Sequence, residues 1–417
     1  MAGCSPLPSV SAFAAPTPAG VFLRRLAATD LIILAGEGIL AGQRRRATWP
    51  ATATRLGRSR RRAGMAGLYV GATAGYSGKN MVVMGLGLRL QKEGFSVGYL
   101  KPVGAVPKEI DGKLWDEDAY HVQRILRTNE SPETLTPVIA THDFQVRAFR
   151  NQVGDVMSAV KDAYEKVSAG KDVTIVGGSG GMHTGRYCNA DGVRVVTELG
   201  LKAVVIDRYS KELNYDYLLM LKDQLGDHLA GIILNDVAQN FMDETRKLIV
   251  PFLRDRGIRV LGVIPKDPLM GAIKVCDLAD RLGGKVISAH HKSERIVESF
   301  LIGTMQVENF MTHFRRQKNS AIIVGGDRSD VHLVALEGDS PCLVLTGNLY
   351  PNDIILTRSE VLEIPIIVVR EDTYNVAKKM ETLLMRHKLR DEIKIRQGAQ
   401  LINANLDFAV LREQLGL

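Results

Sequence analysis

GLYVGATAGYSGKN, Gly67 to Asn80, decides how the chain is read. An apolar run, Leu68 to Val70, gives way to a loop of small residues ending in Gly78-Lys79, and MVVMGLGLRL, Met81 to Leu90, predicts a helix behind it. Strand, glycine-bearing loop and helix N-terminus together present backbone N–H groups and a helix dipole to phosphate, with one lysine able to reach the outer charges. The stretch is therefore read as a nucleotide-phosphate loop, in which Thr73, Gly75, Ser77, Gly78, Lys79 and Asn80 would surround the phosphates. The alternative is a flexible strand-to-helix turn with an incidental lysine. The common pattern has glycine where this chain has Thr73, and serine or threonine where it has Asn80. An amide oxygen is a weaker Mg²⁺ partner than a hydroxyl at that place, so dependence on magnesium is left open.

Downstream, short apolar runs alternate with amphipathic segments, which predicts an α/β fold around a parallel sheet. Ser96–Leu100 reads as a second strand that ends in Lys101-Pro102-Val103-Gly104. Ligands of open parallel sheets bind at the carboxyl ends of strands, so Lys101 is placed beside the loop. Between Asp111 and Arg127 an acid-led helix is expected; Asp116, Glu117 and Asp118 either complement its dipole or, as Asp118 or Asp116, enter a metal shell. Lys171–Val176 is a third strand, followed by Gly177-Gly178-Ser179-Gly180-Gly181, where Gly178 and Gly180 would let the backbone approach a ligand. Further strands are expected at Lys202–Asp207, Leu229–Leu234, closing on Asn235-Asp236, and Arg259–Ile264.

Composition narrows the function classes. The chain has 417 residues, a length that supports two or three cores, and 45% of them are hydrophobic. It contains no apolar run of roughly 18 residues or more, so no membrane span is expected. The formal charge of +8 suggests nucleic acid until it is divided along the chain. Residues 1–64 hold ten arginines, no lysine and only Asp30 and Glu37 as acids, while the remaining 44 basic and 44 acidic residues cancel. The segment is a separate compositional regime: an organellar transit peptide, a basic arm, or upstream sequence ahead of a true start at Met65. Cys4, Cys188, Cys276 and Cys342 stand at no metal-ligand spacing, as in a reduced, cytoplasmic protein. No nucleic-acid motif, Ser-His-Asp order or metal-binding histidine pair stands out, and His290-His291, being adjacent, point apart.

A second module follows. Ser320–Val324 is a strand ending in Gly325-Gly326-Asp327-Arg328, with a helix over Asp330–Glu337. Cys342–Leu345 repeats the plan, ending in Thr346-Gly347-Asn348 before a helix over Asp353–Leu362, and Ile364–Val369 repeats it again, with Asp372 at its end and a helix from Tyr374 to about His387. One sheet edge thus collects Asp327, Arg328, Thr346, Asn348 and Asp372. Either Arg328 and the glycine N–H groups cradle an anionic ligand, or Asp327 and Arg328 form an internal ion pair that braces the turn. Ahead of the module, Val297, Phe300, Leu301, Met305, Val307, Phe310 and Met311 recur at near-helical spacing within Glu294–Phe314, as core or as a dimer face.

The lysine after the glycine loop, KPVG, the acid-led helix, GGSGG, the ILN strand end and LGVIP, in this order, resemble the dethiobiotin synthetase-type P-loop fold. Residues 65–280 resemble the nucleotide-binding domain that precedes the catalytic domain of long bacterial phosphotransacetylases. Residues 285–390, with VGGDRSD and LVLTGNLYP, resemble the DRTGG module of the same proteins, which leaves 391–417 as a C-terminal tail. The resemblance implies that Lys79 contacts nucleotide phosphates, that Lys101 lies on the γ-phosphate and substrate side, that Asp118 binds metal and that Asn235 reads adenine. The bound nucleotide would be ATP or another purine nucleotide. It further implies that the module senses nucleotides or metabolites and that the chain pairs as a homo-oligomer; on the residues of the edge, Gly326, Asp327, Arg328, Thr346 and Gly347 would hold a small anionic metabolite. Gly177 replaces the metal-holding glutamate of the synthetases, and Arg208, Lys211 and Tyr215 stand where they have a small loop for a diaminoacid. Dethiobiotin synthesis is therefore not expected.

Two function classes survive. One is a nucleotide-binding regulatory or sensor protein linked to acetyl-phosphate or acyl-CoA metabolism; the chain ends soon after the module, so a complete phosphate acetyltransferase is not expected, and such an enzyme would instead be a partner. The other is an ATP-dependent ligase or carboxylase using Lys79 and Lys101. The altered metal shell favours the first, because phosphoryl transfer relies on metal for charge neutralisation, and it leaves turnover open.

Overall fold

The computed structural model describes residues 66–385 and 389–417. The readings attached to residues 1–64 and to Met65 lie outside the described residues, as does the expected helix end near His387.

Six strands form the first sheet: β1 (Ala66–Ala72), β2 (Val97–Leu100), β3 (Val173–Gly177), β4 (Lys202–Arg208), β5 (Leu229–Val237) and β6 (Val260–Pro265). Their order is β6-β5-β4-β1-β3-β2 and all are parallel. Strands covered on both faces read as nearly unbroken apolar runs, and the side chains of β1 divide accordingly. Leu68, Val70 and Ala72 enter one core cluster and Tyr69 the other. The loop after β1 leads into helix α1 (Lys79–Lys92) and, past β2, the chain enters helix α2 (Glu117–Leu126).

The acid-led helix forms as α2, with Asp116 as its cap and Glu117 and Asp118 in its first turn, and a hairpin that was not expected precedes it. Ahead of α2 lies an antiparallel hairpin, Pro107–Ile110 with Lys113–Asp116. Its turn residues Asp111 and Gly112 adopt φ of 52° and 71°, the paired left-handed conformation for which Asp-Gly is suited.

The second sheet contains β7 (Lys285–Ser288), β8 (Ser299–Ile302), β9 (Ser320–Gly325), β10 (Leu343–Thr346) and β11 (Ile366–Val368), in the order β7-β11-β10-β9-β8 with only β7 antiparallel. Helices α3 (Ser329–Glu337), α4 (Asp353–Val361) and α5 (Thr373–Met385) follow β9, β10 and β11. The Glu294–Phe314 stripe is not one helix. It splits into strands Ile296–Val297 and Ser299–Ile302 and a helix over Val307–Phe314, because Ser299–Ile302 pairs with β9 as an edge strand. Val297 and Phe310 are completely buried in the core of this module.

Residues 391–417, expected as a tail, form α6 (Glu392–Asn405) and α7 (Phe408–Leu415), which belong to the first domain. Ile402 of α6 is fully buried against α1, where Gly85 leaves it room: a Cβ at Gly85 would lie 2.8 Å from Ile402 Cγ1. Overpacking of a tight helix contact of this kind costs about 1–3 kcal/mol. Gly85→Val is therefore expected to lower stability by about that amount in urea denaturation, and an unchanged midpoint would show that α6 does not dock on α1 in solution.

Candidate functional site

The loop between β1 and α1 closes on itself. Ser77 Oγ donates to the Ala74 carbonyl at 3.0 Å, and Lys79 Nζ donates to the same carbonyl at 3.2 Å and to the Gly180 carbonyl at 2.6 Å. Gly78 at the helix start has a φ of 102°, and a Cβ there would meet Asn235 Nδ2 at 2.5 Å, so the position requires glycine. Tyr76, at the loop tip, is exposed and holds a φ of 58°, an uncommon conformation for a bulky residue. No side chain caps α1 and its first turn holds no acid, whereas α2 and α6 are capped by Asp116 and Asp391. The first N–H groups of α1 thus remain available to an anion.

Lys79 and Lys101 meet at the carboxyl ends of the strands with opposite fates. Lys101 is 4% exposed, and its ammonium lies 2.8 Å from Asp116 Oδ1 and 3.7 Å from Asp118 Oδ2. Among the described residues no carboxylate lies within ion-pair distance of Lys79, whose ammonium is solvated by two neutral carbonyls. Burial and the neighbouring Lys101 charge lower its pKa to about 8, against the pull of Asp118.

Gly178 and Gly180 sit in the loop after β3. The Gly178 N–H donates to the Val70 carbonyl, and Gly180 supplies an acceptor to Lys79. Asn235, at the end of β5, donates from Nδ2 to the Ser77 carbonyl at 2.9 Å, which ties the strand end to the loop. Thr73 Oγ1 donates to Asp207 Oδ1 at 2.6 Å. Burial pushes the Asp207 carboxyl up, and that hydrogen bond partly opposes it. Arg208 grips Asp236 through Nε and Nη2 at 2.8 and 2.6 Å, Tyr215 is buried, and Lys211 lies 5.9 Å from the Phe241 ring, itself stacked on Tyr209. Gly75, Lys79, Asn80, Lys101, Asp118, Gly178, Gly180 and Asn235 all line one cleft of 1110 Å³. The second module contributes Ser299, Phe300 and Glu381 to its lining.

The two proposed metal ligands are already occupied. Asp116 is fully buried and caps α2: Oδ1 accepts from the Ala119 N–H and from Lys101, and Oδ2 from the Val106 N–H. Asp118 faces Lys101 on one side and, at 3.2 Å, Arg390 on the other. With Gly177 side-chainless, this donor set does not fit a divalent metal. Among the described residues no cluster of three or more His, Cys, Asp or Glu side chains is arranged to hold one.

In the second module Arg328 pairs with Asp330 rather than with Asp327, through Nε and Nη2 at 2.9 and 2.8 Å, and reaches the Met305 carbonyl at 3.2 Å. That guanidinium pulls the Asp330 carboxyl down to about 2. Thr346 is buried and shares a hydrogen bond with Thr373, while Gly347 and Asn348 turn in left-handed conformations to bond the Glu371 and Val369 carbonyls. Asp372 caps α5, accepting from the N–H groups of Tyr374 and Asn375. Gly326 is close-packed on the Leu349 backbone. This edge, built around Gly326, Asp327, Arg328, Thr346 and Gly347, is separate from the phosphate cleft.

Arg390 is the contributor that the sequence did not disclose. It lies 272 residues from Asp118 in a segment without any motif.

A parallel sheet, an uncapped helix start at its mouth and a half-buried lysine with no carboxylate at ion-pair distance among the described residues define a P-loop nucleotide-binding domain. The AAA domain family matches residues 66–274, half of the chain, and the chain belongs to it. The DRTGG domain family matches residues 277–383. A phosphate acetyltransferase of Synechocystis sp. is 22% identical over 358 residues, which cover 82% of this chain and 50% of that protein. The ATP-dependent dethiobiotin synthetase BioD of Methanocaldococcus jannaschii is 29% identical over 167 residues, 38% of this chain and 74% of that one. The solved CBS and DRTGG domains of the regulatory region of Clostridium perfringens pyrophosphatase align at a TM-score of 0.25 and 13% identity, over 35% of this chain and 74% of theirs. The chain spans about half the length of the phosphate acetyltransferases it matches. No helix among the described residues is long and apolar enough to cross a membrane.

A lysine whose pKa falls to about 8 is an ammonium below that pH and an amine above it. Affinity for a nucleoside triphosphate is therefore expected to be level below pH 8 and to decline as pH rises through it. Lys79→Ala should weaken binding by about ten- to a hundredfold and flatten that profile. Calorimetric titration across pH measures both, and an unaltered affinity in the variant would remove Lys79 from the site.

Proposed function

We propose that the protein is a nucleotide-binding regulatory or sensor protein, with ATP or another purine nucleotide on the loop of the first domain and a small anionic metabolite at the second-module edge. The observation that carries this reading is the Lys79 ammonium, half-buried at a helix start, hydrogen-bonded to two carbonyl oxygens and, among the described residues, with no carboxylate at ion-pair distance. A nucleotide phosphate would supply the missing counter-charge and accept hydrogen bonds from the first N–H groups of α1. In this reading Thr73, Gly75, Ser77, Gly78, Lys79, Asn80, Gly178, Gly180 and Asn235 line the nucleotide site. Likeness to phosphate acetyltransferases supports a link to acetyl-phosphate or acyl-CoA metabolism. The occupied carboxylates argue for binding in preference to turnover, because they leave little to hold the metal on which phosphoryl transfer leans.

One observation favours a second reading, an ATP-dependent ligase: the cleft brings Lys79 and Lys101 together and is large for a nucleotide alone. Equilibrium binding of ATP beside steady-state hydrolysis, with and without Mg²⁺, separates the two. Binding with negligible turnover is expected; fast Mg²⁺-dependent turnover stimulated by a carboxylate or an amine would install the ligase.

At the second module, Arg328 would exchange Asp330 for a ligand anion. Arg328→Ala is expected to abolish binding of acetyl phosphate, used as the probe, and to leave ATP affinity unchanged. A variant that instead loses its cooperative thermal transition would make Arg328 a brace of the turn.

A further inference from the structure

We propose that Arg390 is the resident cation beside the phosphate cleft, neutralising Glu117 and the cleft-lining Asp118 so that the loop takes nucleotide without a divalent metal. The inference rests on the nucleotide-binding reading of Lys79.

Arg390 Nη2 lies 2.7 Å from Glu117 Oε2 and 3.2 Å from Asp118 Oδ1, and Nη1 donates to the Glu117 carbonyl at 3.2 Å. The other carboxylate oxygens face cations as well: Glu117 Oε1 is 2.8 Å from Lys108 and Asp118 Oδ2 is 3.7 Å from Lys101. The guanidinium is only 25% exposed, and Glu117 and Asp118 are more buried still, so solvent screens these contacts incompletely. Its backbone position is held because the next residue, Asp391, caps α6, the helix docked on α1. The side chain is thus delivered to the first turn of α2 from the end of the chain. A planar guanidinium bonded at several points is pre-organised, and a metal would have to displace it to reach Asp118.

Asp118 lines the cleft and Glu117 is its neighbour in sequence; without Arg390 the three acids Asp116, Glu117 and Asp118 would face Lys101 and Lys108, and the surplus negative charge would repel an incoming triphosphate. The loss of Arg390 should therefore create a requirement for metal. The test is titration of the whole protein with ATP, in excess EDTA and in excess Mg²⁺. Wild type should show dissociation constants within about twofold in the two conditions, whereas Arg390→Ala should lose about tenfold in EDTA and recover in Mg²⁺. Arg390→Lys, which keeps the charge and loses the fork, should fall between. Adding Asp118→Asn to Arg390→Ala removes a repelling acid and should restore binding in EDTA, a result that a purely structural role would not produce. Equal Mg²⁺ dependence in wild type and Arg390→Ala, or a wild type that binds only with metal, would overturn the inference while leaving Lys79 in place. Failure of wild type to bind ATP in either condition would defeat the nucleotide reading and this inference with it.

Discussion

Lys79 at the start of α1 and Lys101 after β2 line one cleft, where burial first and the Lys101 charge second disfavour the Lys79 ammonium. Burying an ammonium is costly unless an opposite charge or strong hydrogen bonds meet it. Lys101 obtains its counter-charge from Asp116, a carboxylate that is itself fully enclosed and anchored by two backbone N–H groups. Lys79 receives only the carbonyls of Ala74 and Gly180. The pair is therefore asymmetric: one lysine is satisfied within the fold, and the other holds a charge that the fold leaves to a ligand. The uncapped start of α1 points the same way, since its free N–H groups and the Lys79 charge favour an anion at one place.

The path of the chain ties this cleft to the second module. After the first sheet, the chain builds the five-stranded sheet and α3 to α5, then returns to lay α6 and α7 on α1 and β6. The DRTGG domain is thus framed in sequence by parts of a single hydrophobic core, with Ile402 against Gly85 as one of its tight contacts. Ser299, Phe300 and Glu381 carry the second module to the rim of the phosphate cleft.

The legible parts of the sequence were those whose signals are local. Leu68–Val70, the small-residue loop and the run after Lys79 announced strand, phosphate loop and helix, and the apolar runs ending in KPVG, GGSGG and ILN announced strands whose carboxyl ends share one edge. Asp111-Gly112 was a legible hairpin signal that the acid-led pattern behind it obscured. Asp116 could not be told from Asp118 by composition. A cap and an open carboxylate look alike in sequence, and only the N–H groups of Val106 and Ala119 distinguish them. Arg328 likewise had two acidic neighbours in sequence, and the turn geometry chose Asp330.

By itself the sequence determined the class of fold and the place of the phosphate loop, because hydrophobic period, glycine position and helix start are properties of neighbouring residues. Tertiary structure alone decided which charges remain uncompensated. Lys79, Lys101, Asp116, Asp118 and Arg390 lie on separate elements, and the energy of each depends on distances of a few ångströms that the packing of α1, α2 and α6 establishes.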